Sequence, residues 1–384
     1  METIAVLFAP GFEESEALTV VDVLRRAGLD AKSVGVGGAE ITGAHGVSIR
    51  TDTTLDRVSE AELAMLVAPG GWGGVENMMA SEAVIALFRR MAEAGKWTCA
   101  ICAGPRVLDK AGLLAGKRYT CYPGQEAYIT GAEHRSELVV RDGKIITSPG
   151  PATVYAFSYA LVDALGGDSL AVKNRMAYFN AFDEGERRQP QIRLGERKAG
   201  ARAAVLMKEG YEEGETFSIV DILRRVEIPC DTFCFSDDPW VRGMHGMYLK
   251  ADRRFPEGIE DYTAVVLPGG RPGGANLAAD GEVLALLRRW NGIPGKYLCA
   301  LCSGTTVLAA AGVIAGKRMT GYTGYAEKLP GAVFVEDVAV DDRNLVTSQG
   351  PATGYPFAYR LAEVLGADTA GVRERMLYTF AGGK

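Results

Sequence analysis

The chain has 384 residues, of which 47% are apolar, and a formal net charge of −6. This length predicts two or three globular domains, and the acidic balance argues against nucleic acid or anionic membranes as partners. No apolar run approaches the roughly 20 residues of a membrane span, and an apolar strand begins at Thr3. We therefore expect a cytoplasmic protein that binds neither nucleic acid nor membrane.

An internal duplication dominates the sequence. The segment IAVLFAPGFEESEALTVVDVLRRAG, which begins at Ile4, recurs as AAVLMKEGYEEGETFSIVDILRRVE from Ala203. In the same way VAPGG from Val67 recurs as VLPGG from Val266. Matching segments are separated by about 200 residues throughout, which is typical of two tandem copies of one domain.

The duplication predicts the domain boundaries. We expect a first domain over residues 1–182 and a second over 201–384. The segment 183–200 between them (DEGERRQPQIRLGERKAG) is polar, charge-rich and without apolar periodicity. Such a composition is typical of a linker.

Short apolar runs alternate with helical patterns within each copy. In the first copy, strands are expected at Ile4–Phe8, Leu63–Ala68, Thr98–Ile101 and Ile145–Thr147. Helical spacing of apolar residues occurs in two sets, Ala17, Val20, Val21 and Leu24, and Ala83, Leu87 and Met91. This alternation predicts a mostly parallel sheet covered by helices on both faces, with ligands bound at the carboxyl ends of the strands.

A cysteine stands at the expected turn from a buried strand into a helix in each copy. Residues 96–108 read KWTCAICAGPRVL, and residues 296–308 read KYLCALCSGTTVL. A side chain at such a turn is pushed out of the sheet and faces the first N–H groups of the helix. We therefore predict that Cys102 and Cys302 are nucleophiles next to hydrogen-bond donors and a partial positive charge.

Each of these cysteines also closes a C-x-x-C pair, whose first member is Cys99 or Cys299. With the first cysteine in a strand, the two Cα atoms would be about 10 Å apart, which is too far for a disulfide. We interpret Cys99 and Cys299 as small core side chains. Neither a metal site nor an organic cofactor is expected.

Acidic residues open the first helix of each copy. Glu13 and Glu14 are expected to interact with the helix dipole. Glu16 immediately precedes the apolar face, and Glu215 has the same spacing in the second copy. One carboxyl per copy is therefore a candidate to point inward.

Two further loops follow strands. Residues 69–74 (PGGWGG) can present backbone N–H groups to an oxyanion, although they lack the spacing and the lysine of a P-loop. Residues 148–151 (SPGP) form a rigid turn that serves either chain reversal or function.

The combination of GxEExE, PGG, AICAGP and TSxGPxT resembles the ThiJ/PfpI superfamily, and within it the branch of the parkinsonism-associated deglycase and the glyoxalase III enzymes. The resemblance covers both copies. It implies a flavodoxin-like α/β sandwich with a parallel sheet in each copy, no cofactor, and two copies packed as an intramolecular pseudo-dimer.

The resemblance also implies the residues of the site. Cys102 and Cys302 would be the nucleophiles, and Glu16 and Glu215 would be buried glutamates that touch their sulfur atoms. Backbone donors for the oxygens of a substrate or of an oxidised cysteine would come from Gly70, Gly71, Ala103, Gly269, Gly270 and Ser303.

Members of the superfamily often place a histidine near the cysteine, and this chain departs from that pattern. Ala103 follows Cys102, and Tyr122 and Tyr322 hold the other usual position. His134 is expected to be an exposed bystander in a loop without a repeat equivalent. Candidates for a contribution across domains are His45, His245, Pro151 and Pro351.

Three functions remain open at this point. In the first, the cysteine attacks a small carbonyl such as a 2-oxoaldehyde and the glutamate shuttles a proton, giving a 2-hydroxy acid. The second is a redox-sensing or stress-protective protein with an oxidisable cysteine of low pKa. The third, an amide or acyl hydrolase, is disfavoured by the missing histidine. A thiolate at neutral pH would require Glu16 to keep a proton, so that its O–H donates a hydrogen bond to the sulfur.

Overall fold

The computed structural model describes residues 3–182 and 200–378. These residues form two compact units, and each unit contains the same succession of strands and helices. The predicted linker, 183–200, lies outside the described residues apart from Gly200.

The first repeat alternates strands and helices as its sequence predicts. Its strands are β1 (Thr3–Phe8), β2 (Ala31–Gly35), β3 (Glu40–Thr42), β4 (Ser48–Arg50), β5 (Thr53–Thr54), β6 (Leu63–Ala68), β7 (Trp97–Ile101), β8 (Arg118–Tyr119), β9 (Glu133–His134), β10 (Val140–Asp142) and β11 (Ile145–Ser148). Its helices are α1 (Glu14–Arg26), α2 (Trp72–Ala80), α3 (Glu82–Glu93), α4 (Pro105–Lys110), α5 (Val154–Ala164), α6 (Ser169–Arg175) and α7 (Tyr178–Phe182).

A seven-stranded sheet forms the centre of the first unit, in the order β10-β11-β7-β6-β1-β2-β5. Neighbouring strands are parallel except β10, which is antiparallel to β11. Val67 pairs with Cys99, and Ile101 pairs with Ser148. The loops that follow β6, β7 and β11 therefore start at one edge of the sheet, as predicted for a parallel α/β fold.

Helices cover both faces of this sheet. Ala5 and Leu7 join a core cluster with Phe88 and Val107, from α3 and α4. Because side chains alternate along a strand, Val6 points to the opposite face, where α1 and α5 pack together. The predicted contribution of Ala83 to the core is wrong, because that residue is exposed and Val84 takes its place.

The second repeat has the same plan. Its strands are β12 (Ala203–Leu206), β13 (Cys230–Cys234), β14 (Trp240–Arg242), β15 (Tyr248–Lys250), β16 (Arg253–Arg254), β17 (Ala264–Leu267), β18 (Tyr297–Leu301), β19 (Arg318–Met319), β20 (Val333–Phe334), β21 (Ala339–Asp342) and β22 (Leu345–Ser348). Its helices are α8 (Glu213–Arg225), α9 (Gly273–Ala278), α10 (Gly281–Trp290), α11 (Thr305–Ala311), α12 (Gly354–Val364) and α13 (Ala370–Arg375). The sheet order, β16-β13-β12-β17-β18-β22-β21, repeats that of the first unit.

The compact units differ from the repeats at their C-terminal ends. The first unit comprises the described residues of 1–173 and 373–384, and the second comprises those of 174–372. In the first unit the Ala152 N–H donates to the Met376 carbonyl at 2.8 Å, and in the second Ala352 donates to Met176 at 2.9 Å. The end of each repeat thus packs in the unit built mainly from the other repeat. The boundaries predicted from the sequence remain a proposal about the repeats.

Within the described residues, the helices are too short or too polar to cross a membrane.

Candidate active site

Cys102 and Cys302 stand where β7 and β18 end, in a backbone conformation that is rare for residues other than glycine. Their φ angles are 63° and 53°. The Cys102 N–H donates to the Ser148 carbonyl at 2.9 Å, which fixes the turn to the neighbouring strand. A strained residue of this kind costs about 1–3 kcal/mol and persists only where its surroundings hold it.

The helix after Cys102 contributes less than the sequence indicated. It begins only at Pro105 and has 6 residues, so its dipole is small. The Ala103 N–H hydrogen-bonds the Cys102 sulfur. In the second unit the Ser303 N–H does the same for Cys302.

A fully buried glutamate lies beside each cysteine. Glu16 and Glu215 both have 0% of their surface exposed. The Gly70 N–H donates to Glu16 Oε2 at 2.8 Å, and the Gly269 N–H donates to Glu215 Oε2 at 2.6 Å. The side chain of each glutamate also hydrogen-bonds the neighbouring thiol. One carboxyl per copy therefore does point inward.

Gly70 makes this arrangement sterically feasible. A Cβ atom there would lie 2.6 Å from Cys102 Cβ, 2.6 Å from Glu16 Oε2 and 2.9 Å from Cys102 Sγ. The thiol and the carboxyl can approach each other only because the loop between them has no side chain at this point.

Burial, followed by the charges of Glu16 and Glu13, raises the pKa of the Cys102 thiol well above its usual value, and the Ala103 N–H opposes this. Burial and Glu215 raise the pKa of Cys302 in the same way. Burial, the largest cause, raises the pKa of the thiol whatever the protonation state of the glutamate, whereas the repulsion requires an ionised glutamate. The pair shares protons, so a proton on Glu16 would remove the repulsion and turn its O–H into a donor to sulfur. The thiolate expected at neutral pH stays a prediction.

Two regions of the chain match the model of the DJ-1/PfpI family, residues 2–164 and 201–364. The chain belongs to this family. It is similar to Protein DJ-1 homolog B of Arabidopsis thaliana, at 30% identity over 366 residues, which cover 92% of this chain and 83% of the relative. It is also similar to Deglycase PH1704 of Pyrococcus horikoshii, at 34% identity over 161 residues, which cover 41% of this chain and 96% of the relative. Among solved structures, Drosophila melanogaster DJ-1beta aligns with a TM-score of 0.44 and 36% identity, covering 45% of this chain and 95% of that one.

The family resemblance assigned backbone donors to the oxygens of a substrate, and the structure gives two of them another partner. The Gly70 N–H is engaged with Glu16 and the Gly269 N–H with Glu215, so these contacts orient the carboxyls. Gly71, with a φ of 87°, packs so closely that a Cβ atom would lie 2.4 Å from the Gly11 carbonyl. Oxygen binding by Gly71 and Ala103, and by their repeats Gly270 and Ser303, remains a proposal.

The first-turn acids do more than the predicted interaction with the helix dipole. Glu14 is completely buried and accepts hydrogen bonds from the His45 N–H at 2.6 Å and from the His45 ring at 3.0 Å. Glu213 and His245 repeat these contacts at 2.8 and 3.2 Å. Each pair anchors the hairpin loop of its own unit, and a role of the histidines across domains stays a prediction.

Tyr122 and Tyr322, which hold the position where the resemblance implies a histidine, each bond to the segment that ends one of the repeats. The Tyr122 N–H donates to the Cys102 carbonyl at 2.9 Å, and its hydroxyl donates to the Arg375 carbonyl at 2.9 Å. Tyr322 makes the matching bond to Arg175.

Pro151 and Pro351 are buried, and each starts a short 3₁₀ turn, Pro151–Thr153 or Pro351–Thr353. In each turn the N–H of the alanine after the proline donates to a carbonyl in the segment that ends a repeat, Met376 for Ala152 and Met176 for Ala352. Their predicted part in a site across domains remains a proposal.

Sequence reasoning missed a cluster next to the PGG loop of the first unit. The Arg106 guanidinium lies 5.0 Å from the Trp72 ring centroid and 4.7 Å from that of Tyr128. It also pairs with Glu76 at 2.9 Å. At the positions that correspond to Trp72, Arg106 and Tyr128, the second repeat carries Arg271, Thr306 and Lys328, respectively. The two copies therefore differ beside their PGG loops, and an arginine four residues after the cysteine was the available signal.

Cys99, Cys299 and His134 lie outside the pairs of cysteine and glutamate. Cys99 and Cys299 are fully buried strand residues, in agreement with the predicted core role. His134 is exposed as predicted, but it lies in β9 rather than in a loop. It also has a repeat equivalent, because Tyr119 pairs with His134 as Met319 pairs with Phe334.

Proposed function

We propose that this chain is a cofactor-independent cysteine enzyme that acts on small reactive carbonyls, of the glyoxalase III or deglycase type. The observation that carries the proposal is the buried glutamate hydrogen-bonded to a cysteine at a strand-to-helix turn, present at Cys102 and again at Cys302. Membership of a family that includes a relative named as a deglycase supports it.

The reaction would convert a 2-oxoaldehyde and one water into a 2-hydroxy acid. The Cys102 thiolate attacks the aldehyde carbon, and the proton held by Glu16 passes to the carbonyl oxygen, which gives a hemithioacetal and a Glu16 carboxylate. Glu16 then removes the proton from that carbon and returns it to the neighbouring carbon, while the hydroxyl proton moves to the neighbouring oxygen, which leaves the thioester of a 2-hydroxy acid. Water then hydrolyses the thioester and restores the thiol. The Ala103 N–H would stabilise the developing oxyanion.

A redox-sensing or stress-protective role is the second candidate. Cys102 and Cys302 are partly accessible, whereas the other five cysteines are buried. A peroxide would oxidise the sulfur of such a cysteine to a sulfenic acid and be reduced to water or an alcohol. An amide or acyl hydrolase is less well supported, because the usual histidine position holds Tyr122.

Turnover distinguishes these functions. The full chain and its Cys102→Ser, Cys302→Ser and doubly substituted variants should be incubated with methylglyoxal while lactate is measured. We expect sustained lactate production that falls in each single variant and disappears in the double variant. Stoichiometric oxidation of both cysteines by dilute peroxide, without any lactate, would favour the redox function.

Two further parts of the proposal concern the whole chain. We propose that the two copies pack as an intramolecular pseudo-dimer, because two family domains follow each other in one chain. A cytoplasmic location is the matching proposal for the compartment.

A further inference from the structure

The first unit carries three metal-ligating side chains outside the Cys102–Glu16 pair. One ligand atom from each of Cys121, Glu126 and His134 lies within 4.8 Å of the other two. The Cys121 thiol is buried and donates to Glu126 Oε2 at 4.0 Å, whereas Glu126 and His134 are exposed. The mechanism proposed above uses none of these residues.

The backbone brings the three side chains together from three separate elements. β8 pairs with β9, which places His134 beside Tyr119, and the two rings meet edge to face with centroids 5.5 Å apart. Cys121 follows β8 by two residues. Glu126 lies in the 3₁₀ turn Gln125–Tyr128, which the Gln125 N–H closes onto the Tyr122 carbonyl at 2.9 Å.

The second unit is an internal control for what the fold itself requires. β19 and β20 pair in the same register as β8 and β9. The corresponding positions there hold Gly321, Ala326 and Phe334, none of which can bind a metal ion through its side chain. The backbone therefore forms without these ligands, and in the first unit all three occur together.

We propose that Cys121, Glu126 and His134 bind a zinc ion, with the fourth position open to water. A thiolate, an imidazole and a carboxylate form the mixed donor set that zinc accepts. Tetrahedral ligand atoms at zinc are about 3.5 Å apart, so the distances between the three ligand atoms must shorten by up to about 1.3 Å. Two of the three side chains are exposed and can turn to do so. The sulfur–zinc bond forms as the thiol proton leaves to solvent.

The site would stiffen the loop that borders the first cysteine. Tyr122 is adjacent to Cys121, and its N–H donates to the Cys102 carbonyl at 2.9 Å. Zinc would therefore stabilise the loop after β8 in the first unit, whereas the matching loop of the second unit lacks these three ligands. This inference does not depend on the proposed carbonyl chemistry.

Cobalt binding to the full-length chain tests the site, because a thiolate bound to Co²⁺ gives a charge-transfer absorption in the near ultraviolet. We expect one such cobalt ion per chain, displaced by Zn²⁺. Cys121→Ser should abolish the absorption. Glu126→Ala and His134→Phe introduce the residues of the second repeat and should each weaken cobalt binding by about 100-fold. Loss of a residue that only supports a metal ligand weakens binding by about 10- to 100-fold, and loss of a ligand itself should reach the upper end of that range.

Cys102→Ser and Cys302→Ser are the matched controls and should bind cobalt like the unaltered chain. The proposal is overturned if no saturable absorption appears, or if the absorption survives Cys121→Ser and disappears with Cys102→Ser. Should Cys121→Ser fail to fold, Glu126→Ala and His134→Phe decide the matter, because both side chains are exposed. Unchanged affinity in both of these variants also overturns it.

Discussion

At the level of single residues, the proposed chemistry depends on the contact between Glu16 and Cys102. Two negative charges about 4 Å apart repel by roughly 4 kcal/mol at an effective dielectric near 20. The short helix after Cys102 and the Ala103 N–H offer less than that. A reactive thiolate at neutral pH therefore needs the proton of the pair to reside on Glu16.

The first prediction follows from this sharing of a proton. In a Cys302→Ser background, iodoacetamide should alkylate Cys102 with a pH midpoint below 8.5. Glu16→Gln keeps a donor beside the sulfur and should leave the midpoint close to that value, whereas Glu16→Leu should raise it. A large fall of the midpoint in Glu16→Gln would instead show that Glu16 is ionised and repels the thiolate.

A second prediction concerns the other cysteines. Burial and Glu126 raise the pKa of Cys121 to about 12, and burial also raises the pKa of Cys99, Cys230 and Cys299. These four thiols are also buried, so they keep their proton at pH 7.5 and are shielded from the reagent. Peptide mass spectrometry after brief alkylation of the native chain should find label on Cys102 and Cys302, which are partly exposed, and little on these four cysteines. Comparable label on Cys121 would show that its pocket opens.

At the level of elements, the loop after β6 sets the geometry of the pair. Cys102 and Glu16 lie so close to Gly70 that no side chain fits at this position. Gly269 occupies the same place in the second unit, where a Cβ atom would lie 2.8 Å from Cys302 Cβ.

Gly70→Ala should therefore disable the first site, because the added Cβ atom must push Cys102 and Glu16 apart. In the Cys302→Ser background we expect kcat/KM to fall by at least about 100-fold, because a displacement of about 1 Å is enough for such a loss. Gly38→Ala is the matched control, since a Cβ atom there meets nothing within 4 Å. Activity retained in Gly70→Ala would mean that the pair tolerates separation.

The sequence predicted these elements well, for a physical reason. Apolar runs and helical spacing are local patterns, and they located β1, β6, β7, β11 and α1 to within a few residues. The inward glutamate was also a candidate from the sequence, because Glu16 immediately precedes the apolar face of its helix and Glu215 repeats that spacing. The partners of Glu14 and Arg106 were not, since His45 and Tyr128 reach them only through tertiary folding.

At the level of the whole molecule, the repeat in the sequence and the packing of the chain diverge. Residues 174–182 end the first repeat but pack in the second unit, and residues 373–378, near the end of the second repeat, pack in the first. A duplicated sequence cannot reveal such an exchange, because the two segments are alike and suit either surface. The segments reach the loops around the cysteines, since Tyr122 donates to Arg375 and Tyr322 donates to Arg175.

The exchange predicts which site depends on the end of the chain. Deleting residues 373–384 removes the hydrogen bonds of Tyr122 to Arg375 and of Ala152 to Met376, each of which contributes about 1 kcal/mol. Activity should fall at least about fivefold in the Cys302→Ser background, where only the first site works. It should change little in the Cys102→Ser background.

Tyr322→Phe provides the reciprocal control, because it removes the bond to Arg175 and should affect only the second site. Circular dichroism should confirm that the shortened chain keeps its fold before activities are compared. If the last residues of the second repeat packed against their own repeat instead, the deletion would weaken the Cys302 site and leave the Cys102 site unchanged. That result, or an equal loss at both sites, would contradict a dependence of the first site on the second repeat's last residues.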